Sequence, residues 1–103
     1  MPSITYSGAS KPSDWQQVDG GRGIFVDVEI PSGIFRTSRP LPVYVASISG
    51  DNNHWATTGA SSIYQATCTG FRVYVRWIDG SPLTPDFAQQ RNWSINWIGI
   101  QHW

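Results

Sequence analysis

Along three stretches of the chain, apolar and polar side chains alternate with a period of two, which is the spacing of a β-strand with one buried face. These stretches cover residues 24–30, 69–77 and 93–100. The second has one apolar face and one polar or mixed face: Phe71, Val73, Val75 and Trp77 against Arg72, Tyr74 and Arg76. Two further strands are predicted over residues 43–48 and, with a weaker pattern, over residues 62–67.

Short strands separated by turns rich in Gly, Pro and Asn, without a sustained helical period, predict an all-β antiparallel sandwich. Residues 4–6 are expected to add an edge strand. Residues 77–93 have no clear pattern and are interpreted as a long functional loop. A chain of 103 residues has the length of one domain, so we assign residues 1–103 to a single unit. Residues 101–103 follow a core strand directly and are expected at a subunit contact.

Composition narrows the range of functions. Charged residues make up 14% of the chain, the formal net charge is zero and Lys11 is the only lysine, so no nucleic-acid partner is expected. No apolar run reaches the ~20 residues that span a bilayer, so membrane insertion is not expected. Cys68 is the only cysteine, which excludes an internal disulfide and favours a small buried thiol.

The N-terminal residues lack the basic and apolar regions of a signal peptide. We nevertheless expect a location outside the cell, or on the surface of a cell or virion. Such a protein is either released by another route or carries a leader that lies outside this sequence.

Three pieces of the chain, taken together, resemble the H-type lectin domain of snail agglutinins and of the C-terminal part of discoidins. They are Pro42-Val43-Tyr44-Val45-Ala46-Ser47-Ile48-Ser49-Gly50 with the following Asp51-Asn52-Asn53-His54-Trp55, then Thr69-Gly70-Phe71 with its strand to Trp77, and finally Trp93-Ser94-Ile95-Asn96-Trp97-Ile98-Gly99-Ile100. Their order and spacing agree with the family over residues 35–100, about two thirds of the chain.

The resemblance implies a six-stranded antiparallel sandwich that assembles as a trimer or as a dimer of trimers. It also implies binding of galactose or N-acetylgalactosamine glycans between neighbouring protomers, with Trp77 matching the family's sugar-binding tryptophan. Two family contacts are missing. The stretch 57–62 contains no arginine, although Ser62 at its end is kept as a candidate contact, and Ile78 stands where the snail proteins have a histidine.

Trp77, Ile78 and Asp79 are the first candidate site. A sugar needs an aromatic ring against its C–H face and charged or amide partners for its hydroxyls, and Trp77 with Asp79 supplies both. Alternatively, Trp77 is the last core residue of its strand and Asp79 begins a turn. The second candidate is Asn53, His54 and Trp55, whose amide, imidazole and indole groups make good sugar contacts. Asn-rich turns also occur for their backbone geometry alone.

Asp19, Arg22 and Arg91 are additional polar candidates for the sugar site. Residues 19–23 resemble a phosphate-binding loop only superficially, and a flexible turn is the preferred interpretation. Arg91 is a candidate to replace the missing family arginine from the long loop.

Neither a metal site nor a cofactor is expected. His54 and His102 are the only histidines, and no carboxylate or thiol stands at ligand spacing from them. Calcium binding through Asp51 and Asn53 lacks the fuller pattern of known loops. No serine has a nucleophile-elbow pattern, and no pair of carboxylates is marked for glycoside hydrolysis, so an enzyme is not expected.

Two functional hypotheses remain. The first is a lectin that gains avidity through oligomerisation. The second keeps the sandwich and the trimer without sugar specificity, as a structural or receptor-binding tip such as the end of a phage tail fibre.

Overall fold

Two antiparallel sheets face each other in the computed structural model, which describes residues 2–102. In chain order the strands are β1 (Ser3–Ala9), β2 (Gln16–Gln17), β3 (Ile24–Glu29), β4 (Val43–Ser49), β5 (Thr57–Thr58), β6 (Tyr64–Thr67), β7 (Gly70–Trp77) and β8 (Ser94–His102). One sheet has the order β1-β8-β4. The other has the order β2-β3-β7-β5, and β6 also pairs with β7. The all-β antiparallel sandwich is therefore confirmed.

The alternating pattern places the core between the sheets. On β3, Ile24, Val26 and Val28 are buried, while Asp27 and Glu29 are exposed. The apolar face of β7 and the inward residues of β8 close the core from either side: Phe71, Val73 and Val75 with Ile95 and Trp97. Burial of such side chains is worth about 1.5–3 kcal/mol each, so the period-two pattern is what holds the sandwich together.

Other expectations about the strands are also met. An edge strand does form at the N-terminus, and it is longer than residues 4–6 because β1 pairs with β8 from Ser3 to Ala9. Cys68 is a free, buried thiol, as expected. The weak strand predicted over residues 62–67 begins only at Tyr64, and its pairing with β7 is irregular; Gln65 there has a positive φ of 56°.

One expectation is wrong, and a second is wrong for one of its residues. Residues 77–93 are not a patternless loop, because they contain the helix α1 (Pro85–Gln90), which begins after Thr84 and carries Pro85 in its first turn. Gln101 does not lie at a subunit contact. It is fully buried within the protomer, where its side chain bonds the backbone of Arg36 and Pro40. His102 is exposed, so for that residue the expectation stays a prediction, and Trp103 lies outside the described residues.

The end of β7, the loop after β4 and α1 meet at one end of the sandwich. The loop after β4 is tied to the helix end, since Asp51 N–H donates to the Arg91 carbonyl at 2.9 Å. It also runs beside the end of β7, because Thr57 pairs with Trp77. This end of the molecule carries most of the residues predicted to form a site.

Candidate functional site

Three aromatic rings form the support of the site. Trp77, Phe87 and Trp93 pack edge to face, with ring centroids 5.3 Å apart for Trp77–Phe87 and 5.6 Å apart for the other two pairs. Trp93 is fully buried. Edge-to-face pairs at this distance are the favoured aromatic geometry. The three rings therefore fix the end of β7 against α1 and the start of β8.

The loop that follows β4 is held on this support by backbone-directed hydrogen bonds. The indole N–H of Trp93 donates to the carbonyl of Asn52 at 2.8 Å. Asn53 then takes the left-handed conformation, with φ of 70°, and starts a single 3₁₀ turn over His54–Ala56. Asn tolerates this conformation better than most residues. The turn consequently projects Trp55 away from the protein.

A cavity of about 280 Å³ lies between this turn and the end of β7, lined by Trp55, Ala56, Trp77, Ile78 and Asp79. We call it the Trp55 cavity. Its two walls are joined by the amide of Ile78, which donates to the Ala56 carbonyl at 3.0 Å. Trp55 is 81% exposed and Ile78 is 64% exposed. Two large apolar side chains on a fixed backbone thus face solvent at the same place.

Asp79 adds a negative charge at the edge of the Trp55 cavity. Its carboxylate accepts the backbone N–H of Ser81 at 2.9 Å. That bond, followed by one from the Ser81 hydroxyl, lowers the pKa of Asp79 below its usual value of 3.8. Both bonds favour the charged form. The carboxylate is therefore ionised and available as a hydrogen-bond acceptor.

Arg22 lies on the opposite flank of the turn that begins at Asp79. Its guanidinium donates to the carbonyl of Gly80 at 2.7 Å. It also lines a second cavity, of about 340 Å³, on the outer face of the sheet that contains β7, together with Thr58, Tyr64 and Arg76. Two guanidinium groups thus stand beside the stretch 57–62, which itself has no arginine.

The remaining candidates do not line the Trp55 cavity. His54 packs edge to face on Trp93 at 6.5 Å, and its Nδ1 is buried without a hydrogen-bond partner among residues 2–102. Arg91 lies over the Phe87 ring at 3.5 Å, on the support and not in the cavity lining. Ser62 and Asp19 are exposed turn residues that line neither of these two cavities.

Several residues of this region were not singled out from the sequence. Phe87 was placed in a patternless loop, although it supports Trp77. Tyr74 and Arg76 were assigned to the outer face of β7, which is correct, but not to a site. The sequence pattern that could have identified Tyr74 and Arg76 is their alternation with the core residues of β7. This alternation places a phenol and a guanidinium on the same solvent-facing side of the strand.

Within the described range, no group of three His, Cys, Asp or Glu side chains lies close enough to hold a metal ion. The helices of that same range include none long and apolar enough to cross a membrane.

No protein-family model and no curated protein shows significant similarity to this chain.

Proposed function

We propose that this protein is a carbohydrate-binding module without catalytic activity, which recognises galactose or N-acetylgalactosamine glycans at the Trp55 cavity. The single observation that carries the proposal is the exposed indole of Trp55 next to Ile78 and the ionised carboxylate of Asp79, all on one hydrogen-bonded support. Such a module acts outside the cell or on the surface of a cell or virion.

The chemistry of the cavity fits a pyranose. Trp55 offers a free ring face for the C–H groups of the sugar, and Ile78 extends that apolar surface. Asp79 accepts hydrogen bonds from hydroxyl groups, which are stronger when the acceptor is charged. Galactose has an axial hydroxyl at C4, so one face of its ring presents consecutive C–H groups. A site with one apolar wall and one carboxylate at its rim suits that arrangement.

We further propose that the protein forms a homo-oligomer, a trimer or a dimer of trimers, through the outer face of the sheet β1-β8-β4. Val43 pairs with Ile100 and Val45 with Ile98, so four β-branched side chains form one surface, which we call the valine face. Val43 and Val45 are 57% and 58% exposed. An exposed contiguous apolar surface is typical of an interface. Assembly would present several weak sugar sites at once and raise avidity.

Two observations favour the second hypothesis, a trimeric structural or receptor-binding tip. The stretch 57–62 lacks the arginine that grips the sugar in the H-type lectins, and the valine face can hold an assembly together whether or not a sugar binds. Trp55 would then contact a protein receptor.

A glycan array with the unmodified protein and a Trp55→Ala variant tests the proposal. We expect signals on glycans ending in galactose or N-acetylgalactosamine that Trp55→Ala strongly reduces. Tyr64→Ala is the matched control, because Tyr64 is an exposed aromatic residue in the second cavity. A silent array from a stable trimer would reject the lectin proposal and support the tip. Strong signals that survive Trp55→Ala would remove the Trp55 cavity from the site.

A further inference from the structure

A groove separates the two sheets along one side of the sandwich, away from the Trp55 cavity. Its volume is about 480 Å³. One wall is the stretch 6–10 at the end of β1, and the other is the stretch 27–29 of β3. Asp14 and Gln16 also line it, and so does Trp97 of β8. We call this feature the edge groove.

Both walls of the edge groove are unpaired strand edges. Among residues 2–102, β1 pairs only with β8 and is therefore the outer strand of its sheet. On the other side, β2 covers β3 only at Ile24 and Phe25, so the edge of β3 beyond Phe25 has no strand partner in the described part of the chain. Free strand edges are templates for an additional strand.

The register shows which backbone groups of β3 face the groove. Ile30 N–H donates to the Thr69 carbonyl at 2.9 Å, toward β7. Because hydrogen-bonding direction alternates along an antiparallel strand, Val28 also bonds toward β7, whereas Asp27 and Glu29 direct their N–H and C=O groups outward. These groups repeat every second residue, about 6.8 Å apart, which is the spacing of an incoming extended peptide.

The charge of the edge groove is negative. In the part of the chain that the structure describes, three carboxylates line it, those of Asp14, Asp27 and Glu29, and no lysine or arginine does. Asp27 is already neutralised by Arg72, whose Nε and Nη2 donate to its two oxygens at 2.7 and 2.9 Å. Asp14 and Glu29 remain to attract a cation. An occupant with basic side chains therefore complements this groove.

Two aromatic residues line the groove: Tyr6 is partly buried and packs on Trp97 with ring centroids 5.9 Å apart, and Trp97 itself offers little surface to a sugar. Trp97 is only 8% exposed. Gly8 lies against it so closely that a Cβ there would come within 3.0 Å of the indole. The ring is covered by the chain, so the accessible lining consists mostly of backbone edges and carboxylates.

From the free edge, its register and its charge, we propose that the edge groove binds an extended peptide with basic side chains, which adds to β3 as a strand where β2 ends. The main chain of the peptide pairs with the outward groups of Asp27 and Glu29. Its Lys or Arg side chains reach Glu29 and Asp14. This mode of recognition takes affinity from backbone hydrogen bonds and specificity from side chains. It does not depend on sugar binding.

A fluorescein-labelled peptide of about six residues, with Lys and Thr alternating, serves as the probe, and the same peptide with Glu in place of Lys serves as its counterpart. Fluorescence polarisation is expected to show saturable binding of the Lys peptide alone. Glu29→Gln, which removes the charge and keeps the amide, is expected to weaken binding about threefold, as for an exposed ion pair. Asp86→Asn removes an equally exposed carboxylate on α1 and is expected to change nothing.

Amide hydrogen exchange on the unmodified protein locates the peptide without relying on a variant. Bound Lys peptide is expected to slow exchange at Asp27 and Glu29. The proposal would be overturned if the Glu peptide bound equally well, or if neither peptide showed saturable binding. It would also be overturned if protection were confined to the edge of β4, or if galactose oligosaccharides displaced the peptide. A glycan array without signal would not affect the peptide-binding proposal, because that proposal does not depend on sugar binding.

Discussion

Replacing Trp55 with alanine is the perturbation that best separates binding from folding in this protein. Trp55 is 81% exposed. The turn that carries it is fixed by backbone bonds that the substitution leaves in place, from Ala56 N–H to Asn53 and from Ile78 N–H to Ala56. We therefore expect the free energy of unfolding to change by no more than about 0.5 kcal/mol, as for most surface substitutions.

The expected loss of affinity follows from what the indole contributes. Covering its free face with a sugar removes apolar surface from water and adds a stacking contact, together worth about 1–2 kcal/mol. This corresponds to an increase of about 5- to 30-fold in Kd. Trp77→Ala would be a poor substitute, since it removes a ring packed against Phe87 and Trp93 at 5.3 and 5.6 Å. Because Trp77 is only partly buried, we expect a loss of stability near the lower end of the about 3–5 kcal/mol that a fully buried ring costs.

The assay is an NMR titration of both proteins with N-acetylgalactosamine, together with thermal denaturation of each. Unchanged affinity in Trp55→Ala, with unchanged stability, would show that the indole of Trp55 does not contact the sugar. A loss of binding in Tyr64→Ala would move the site to the second cavity.

Three further outcomes are expected. Because hydrogen bonds from Ser81 lower the pKa of Asp79 below 3.8, its carboxylate stays charged in mild acid, and sugar affinity measured against pH should show no inflection from this group above that value. Burial, and secondly Cys68, raises the pKa of Tyr44 from 10.0 to about 12. As pH rises, the unfolded chain therefore releases the Tyr44 proton before the folded protein does. The free energy of unfolding keeps the full contribution of Tyr44 below pH 10.0 and loses it as pH rises toward about 12. Denaturant unfolding of Tyr44→Phe should show no such decrease. Val45→Lys should dissociate the oligomer on light scattering, whereas Ser47→Lys, farther along the same strand, should not.

The sheets could be predicted because their pattern is local. Each inward residue of β3 and β7 is apolar and nearly every outward one is not, so periodicity alone identifies the buried face. α1 was missed because it has only six residues, too few for a helical period. Its start was nevertheless marked, since the Thr84 hydroxyl accepts the Phe87 amide at 3.3 Å and Pro85 follows directly.

The site was predicted in its parts but not in its assembly. Trp55 and Trp77 were singled out in separate clusters, and what joins their clusters is β5, a strand of two residues that pairs Thr57 with Trp77. A strand so short has no periodicity to detect. The positive φ of Asn53, which turns Trp55 outward, is likewise set by the packing of the loop on Trp93 and not by a sequence pattern.

A crystal of the protein soaked with galactose or N-acetylgalactosamine would show directly whether a sugar binds at the Trp55 cavity. We expect a sugar ring stacked on Trp55, in contact with Ile78, with a hydroxyl donating to the carboxylate of Asp79. A sugar bound elsewhere on the protein, or none at all in crystals that leave the Trp55 cavity open, would contradict that expectation.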